Sequence, residues 1–194
     1  KTATKSKLLS DYFQEASPAD AAWAIYFLMG ERLKRLVKNA DLKAWSSEIA
    51  GLPDWLFAEC YDHVGDLAET LALLIFSKDR FRKANLELTL SELIENHLLP
   101  LKEMESEAKA KVILDLWSKM DYTMAFVLNK LMTGGFRVGV SKSLVIKALA
   151  KNASLEPAVM AHKLMGLWEP TEANFKALFA DESTKTQALQ PYPF

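Results

Sequence analysis

Along most of the chain, large apolar residues return at intervals of three and four, the spacing that gathers side chains on one face of an α-helix. Ser17 is placed to cap a helix with Pro18 at its first position and Trp23, Phe27 and Leu28 on its apolar side. Asp41 is expected to open the next, with Leu42, Trp45 and Ile49, and Gly51 to close it. Pro53 starts a segment with Trp55, Leu56 and Cys60, and Val64 to Phe76 continues it with Leu67, Leu71, Leu74 and Ile75. Thr89-Leu90-Ser91-Glu92 reads as a capping box ahead of Leu93, Ile94 and Leu98, in a helix that Pro100 ends or kinks. Further helical patterns hold Val112, Leu116 and Trp117; Met124, Val127, Leu128 and Leu131; and, behind a Ser141 cap, Leu144, Val145, Ala148 and Leu149. Ser154 is expected to open a helix with Val159, Leu164 and Met165, closed by Gly166, and a last one follows Pro170 with Phe175, Leu178 and Phe179. Only Phe136 to Val140 alternates in the manner of a strand, and it reads as an extended loop. The pattern predicts an all-α domain of roughly ten to twelve short helices over 1–180, followed by a polar linker over 181–194.

Two connectors interrupt this pattern in the same way. Asn129 to Ser143 packs three glycines and the cations Lys130, Arg137 and Lys142 between two helices. Glycine lets backbone N–H groups approach a ligand closely, and the helix N-terminus behind Ser141 adds partial positive charge, so the pair favours a phosphate. Gly134-Gly135 can equally serve as a plain turn. An offset of 103 residues lays this region over an earlier one: Leu28-Met29 on Leu131-Met132, Leu33 on Phe136, Lys34 on Arg137 and Val37 on Val140. The earlier connector, Gly30 to Lys38, also joins two helices and carries Arg32, Lys34, Arg35 and Lys38. Two helix–basic loop–helix units, related by a pseudo-two-fold, are the expected organisation.

Composition suits a single domain with a sizeable core: 194 residues, 50% hydrophobic, with seven glycines and seven prolines. The lone cysteine, Cys60, leaves no internal disulfide or cysteine-based zinc site to build and suits a reducing cytoplasm. No secretory signal opens the sequence and no apolar run nears the ~18 residues that span a bilayer.

The formal net charge of −1 conceals a strong separation of charge. Ala44 to Glu69 holds six acids and no Lys or Arg. Gly30 to Lys43 carries net +3 and Lys130 to Lys163 net +5, so the cations gather at the two repeated units. Ser77 to Leu86 adds four more in what reads as a variable connection.

Catalytic signals are sparse. His63, His97 and His162 are scattered without metal-ligand spacing. Asp62, Asp66 and Glu69 could share a helix face, as an acidic stripe or a neighbour-domain contact more than an ion site. The five tryptophans sit in apolar helical patterns and read as core.

The order Ala22-Trp23-Ala24-Ile25-Tyr26-Phe27-Leu28-Met29-Gly30, then Trp55 to Thr70, then Asn129 to Ser141, then Pro191-Tyr192-Pro193-Phe194, resembles the N-terminal DNA-binding domain of bacterial ATP-dependent DNA ligases. That family's Pro-Tyr-Pro-Phe segment precedes a nucleotidyltransferase domain with an adenylated lysine in Lys-x-Asp-Gly. No such motif occurs in these residues, so the chain is expected to be one domain of a larger enzyme, itself without catalytic residues, cofactor or metal. The resemblance implies ATP and Mg for the parent, and a cytoplasmic location at the bacterial nucleoid. It also implies the partners: double-stranded DNA and the catalytic domains of the same polypeptide, with no membrane. Its two loops would grip the sugar-phosphate backbone across the minor groove around a nick, which assigns Arg32, Lys34, Arg35, Lys38, Lys130, Thr133, Gly134, Gly135, Arg137, Gly139, Ser141 and Lys142 to DNA. The alternative is a helical protein-interaction module whose basic loops dock an acidic partner.

Overall fold

The structure is a computed structural model; it describes residues 2–34, 36–77, 86–134, 139–166 and 168–180. The sequence readings placed on Arg35, 78–85, 135–138 and 181–194 lie outside the described residues. Among those described there are eleven α-helices and no strand. They are α1 (Thr2–Glu15), α2 (Pro18–Leu28), α3 (Asn39–Ala50), α4 (Asp54–Val64), α5 (Leu67–Ile75), α6 (Leu90–Glu92), α7 (Ser106–Lys119), α8 (Tyr122–Thr133), α9 (Lys142–Asn152), α10 (Pro157–Lys163) and α11 (Glu172–Leu178).

Local chemistry accounts for most boundaries. The Ser17 hydroxyl accepts from the Asp20 N–H with Pro18 at the first position of α2, and Asp121 and Thr171 cap α8 and α11 likewise. Thr89 and Glu92 close both bonds of the expected capping box. Behind α6 the helix widens into a π-turn, Leu93–Leu98, and then tightens into a 3₁₀ turn, Leu99–Glu103. Pro100 lacks an N–H and its ring crowds the carbonyl four residues back, so the regular ladder cannot pass through it.

α1 corresponds to none of the helical patterns read from the sequence, and three expectations need correction. α3 starts at Asn39 with Lys38 as its N-cap, so Asp41 lies in the first turn and acts through the helix dipole rather than as the cap. The helix expected from Val64 to Phe76 does not run through: Gly65, at φ +73°, ends α4, and the Asp66 carboxylate caps α5 by accepting from Glu69 N–H at 3.0 Å. Asp62, Asp66 and Glu69 therefore share no helix face. Ser154 does not open α10; it closes α9 in a left-handed conformation, φ +53°, while α10 starts after Glu156 and has Leu164, not Gly166, as its C-cap.

The chain divides into two units, residues 1–29 with 140–194, and 30–139. In the first, Phe13, Ile25, Val145, Leu149, Met160 and Phe175 belong to one buried cluster. In the second, Leu42, Leu71, Ile94, Ile113, Trp117 and Leu128 are fully buried.

The repeat is larger than the loops that revealed it. The five helices α1–α5 recur in order as α7–α11. α1 and α7 are both 14 residues long, and the N-caps Lys38 and Ser141, Pro53 and Glu156 each stand 103 positions apart. Upstream of the loops the register is 104, from Ser17 to Asp121 and from Gly30 to Gly134, so the expected match of Leu28-Met29 with Leu131-Met132 is off by one residue and the second connector is one residue shorter. Even single hydrogen bonds recur. α3 ends with Gly51 N–H to Glu48 C=O (3.1 Å) and Leu52 N–H to Ser47 C=O (2.9 Å); α9 ends with Ser154 N–H to Lys151 C=O (3.2 Å) and Leu155 N–H to Ala150 C=O (2.9 Å). Both are Schellman closures, which require a left-handed residue at the same place.

Each unit mixes the repeats. The first combines α1 and α2 with α9–α11, and the second combines α7 and α8 with α3–α5 and the α6 segment. Accordingly α1 packs on α9 as α7 packs on α3, and α2 packs on α11 as α8 packs on α5. The chain passes between the units once at each basic connector, at 29/30 and 139/140.

Candidate functional site

Gly30, at φ +89°, turns the chain out of α2 into the first connector. Leu36 and Val37 are buried to 4% and 2% exposure, while Arg32, Lys34 and Lys38 are exposed. Two apolar side chains thus pin the segment and hold its cations outward, at the cost of like-charge repulsion that an anion would relieve. Lys34 and Lys38 have no ion-pair partner among the described residues.

The second connector leaves α8 through Gly134, φ +72°, and reaches Gly139, φ +67°; both conformations suit glycine. Gly135 and Arg137 lie outside the described residues. A Cβ at Gly134 would stand 3.4 Å from Arg32 Cδ and 3.8 Å from its Nη1, so the two connectors meet inside the second unit at this pair. The Thr133 hydroxyl donates to Asn129 C=O at 2.8 Å, within its own helix. In the first unit, Ser141 caps α9, accepting from Leu144 N–H at 3.3 Å. The α9 first turn contains no acid, and exposed Lys142 is its first residue, a combination that favours an anion at that N-terminus.

Lys130, expected among the DNA contacts, is engaged within the protein. Its side chain is only 11% exposed, its Nζ donates to an Asp66 carboxylate oxygen, and it lies 5.2 Å from the centroid of the Phe126 ring. Burial by itself would raise the Asp66 carboxyl, but the Lys130 ammonium and the Glu69 N–H hold it below its ordinary value. The neighbouring Asn129 is fully buried; its side-chain carbonyl accepts from Trp117 Nε1 at 3.0 Å and its amide donates to Ala68 C=O at 3.3 Å. The last turns of α8 are thereby clamped to the first turn of α5, just before the chain enters the glycine connector. The sequence reading places Asp66 inside a continuous helix, and nothing in it pairs Asp66 with a residue 64 positions away.

Among the described residues, no group of three or more His, Cys, Asp or Glu is arranged to hold a metal ion, and no helix is long and apolar enough to cross a membrane. Trp55 departs from the expectation that every tryptophan is core: it is 67% exposed.

These features define an all-helical domain made by duplication, in which each copy contributes one cation-bearing connector. A family model described as the DNA ligase N terminus matches residues 1–150, a span that includes both connectors. The chain belongs to this family, and its role is as part of a DNA ligase. The comparison with curated proteins gave no match.

Proposed function

We propose that the chain binds double-stranded DNA without reading its sequence, holding the backbone around a nick from the minor-groove side, as the N-terminal domain of a bacterial ATP-dependent ligase. The observation that carries this reading is the meeting of the two repeated connectors at Arg32 and Gly134, in a segment whose exposed Lys34 and Lys38 have no ion-pair partner among the described residues. Lysine and arginine contacts to phosphate position a protein along a duplex without selecting bases, as nick sealing requires. The proposal also assigns Arg35, Gly135, Arg137 and Gly139, and Ser141 and Lys142 of the first unit, to DNA. ATP and Mg are proposed for the catalytic domains of the same polypeptide, which with DNA are the partners of this domain in the cytoplasm, in repair or replication.

Fluorescence anisotropy with nicked and intact duplexes over a range of salt tests the proposal. Each phosphate neutralised contributes about −0.9 to the log–log slope, so the cations Arg32, Lys34, Arg35, Lys38, Arg137 and Lys142 together would give about −5. Arg137→Ala or Lys34→Ala should weaken binding evenly across sequences and reduce the slope by about one. Binding that is absent at low salt, or indifferent to salt, would refute DNA binding; tight binding to an acidic polypeptide instead would favour the protein-docking module.

A further inference from the structure

α3 and α4 are joined through residues 51–53 and leave between them a cleft of about 330 Å³. The buried Phe57 lines it, and the small side chains Ala40, Ala44 and Ala58 leave it unfilled. Lys43 and Ser47 face it from α3, and Asp54, Tyr61 and Asp62 from α4. Charges of both signs therefore share one cleft, yet Lys43, Asp54 and Asp62 have no ion-pair partner among the described residues. The Lys43 ammonium instead stands 5.2 Å from the centroid of the Tyr61 ring and 5.6 Å from that of Phe57. Ser47 is only 6% exposed, and its hydroxyl makes no hydrogen bond among the described residues. Since no fully buried side-chain polar atom among them lacks a partner, that hydroxyl opens onto the cleft with its bonding capacity unused.

The duplication provides an internal control. In the 103-residue register, Lys43, Ser47, Asp54, Tyr61 and Asp62 correspond to Ile146, Ala150, Pro157, Leu164 and Met165. Ala150 and Leu164 belong to the buried cluster of the first unit, and Ile146 packs against it. The same helix pair thus closes in the other copy with apolar side chains at all five places, so packing does not demand the polar ones in α3 and α4.

The pattern of charge selects the ligand. Two carboxylates around one ammonium disfavour a phosphate, and Lys43 opposes a purely cationic molecule. One carboxylate combined with two cationic groups pairs all three side chains. Asp54 and Asp62 stand eight residues apart on α4, which is about 12 Å along its axis. Two charge-assisted hydrogen bonds of about 2.8 Å each leave about 6 Å between the ligand's cationic groups. Chain bonds of about 1.5 Å give an extended dibasic amino acid a comparable span. The volume lies at the small end of ligand sites, which suits a molecule of that size better than a nucleotide.

We propose that the α3–α4 cleft binds a free dibasic α-amino acid. Its carboxylate meets Lys43 and its α-ammonium meets Asp62, the neighbour of Tyr61. Its aliphatic stem crosses Phe57, and its side-chain cation reaches Asp54 and the Ser47 hydroxyl at the joined end of the helices. The site is independent of the proposed DNA surface.

Calorimetric titration and NMR chemical shifts of the 194-residue chain with L-arginine and L-lysine, at constant ionic strength, test the proposal. Saturable binding is expected, with shifts at the Ser47, Phe57 and Tyr61 amides. Each ligand group has its own control: agmatine lacks the carboxylate, Nα-acetyl-arginine the α-ammonium and citrulline the side-chain charge. Each should bind at least about fivefold more weakly than arginine, the loss of one charged contact at a partly open site. Lys43→Ile and Asp62→Met, which follow the other copy, should weaken arginine binding to a similar degree, with circular dichroism and melting temperature near the parent values. Asp115→Asn, exposed on α7, should leave it unchanged. Should a cleft variant lose its fold, the ligand series decides alone. No saturable binding of arginine or lysine, agmatine binding as tightly as arginine, shifts confined to other surfaces, or affinity unchanged in both folded cleft variants would overturn the proposal.

Discussion

Lys130 and Asp66 form an unequal pair, and the inequality predicts which partner is costlier to remove. Lys130 is 11% exposed whereas Asp66 is 35% exposed and also bonded to the Glu69 N–H. Asp66→Asn keeps the cap of α5, since asparagine caps as well as aspartate, but leaves a buried ammonium facing only the Phe126 ring and an amide oxygen. Breaking a buried pair in this way costs about 3 kcal/mol. Lys130→Met removes the buried charge, keeps an apolar stem against Phe126, and leaves a carboxylate that still has a backbone donor and access to water. The loss is then close to one charge-assisted hydrogen bond, about 1.5 kcal/mol. The double variant removes the conflict as well as the pair, and should cost about 2 kcal/mol, well short of additivity. Urea denaturation at neutral pH followed by circular dichroism measures all three. In addition, DNA binding by Lys130→Met well below its melting temperature should keep the parent salt slope, because its ammonium does not face phosphate. Lys130→Met proving costlier than Asp66→Asn, or strict additivity, would refute the assignment of the burden to a buried lysine. A reduced salt slope would return Lys130 to the DNA surface.

Three other outcomes follow from the same geometry. The Asp66 carboxyl is held below its ordinary value of 3.8, so its contribution is fully present above that value and is lost as pH falls from there through the lower folded value; the stability gap between the parent and Asp66→Asn should stay constant from neutral pH down to about that point and close below it, in acid titrations of the unfolding free energy. Ser154→Gly should raise stability by about 0.5 kcal/mol, the relief of a left-handed serine less the extra freedom of glycine in the unfolded chain, while Gly51→Ser at the equivalent closure should lower it by about 1 kcal/mol; thermal melts of both variants check the opposite signs. Gly134→Ala places a Cβ 3.4 Å from Arg32 Cδ at φ +72°, so it should cost about 1 kcal/mol of stability and also weaken DNA binding; unchanged affinity in an anisotropy titration would separate the Arg32–Gly134 contact from the DNA grip.

The helical class, most of the helix starts and the duplicated connectors are legible in the sequence because they depend on local rules. A serine or aspartate accepting from an N–H three residues on, a proline that cannot donate and a glycine that tolerates positive φ act within one turn of chain, whatever surrounds them. The 103-residue register holds downstream of the connectors, from Lys38 to Ser141 and from Pro53 to Glu156, and is visible for the same reason, whereas the one-residue difference in connector length hid the register of 104 upstream. Ser154 escaped this logic: a serine in the position that Gly51 holds gives no sign of its left-handed backbone, and only comparison of the two closures reveals it.

Tertiary structure decided what depends on residues distant in sequence. Lys130 reads as a loop cation because charge is all the sequence shows of it; that it turns into the molecule is settled by Asp66, 64 positions earlier. Trp55 reads as core because its helix is amphipathic, yet whether a side chain on such a helix is covered depends on which neighbours arrive over it. The exchange of partners, with α1 and α2 packed on α9 and α11 while α7 and α8 pack on α3 and α5, cannot be read from periodicity. The two copies present similar apolar faces, so local pattern permits either pairing, and only the packing of the whole chain selects one.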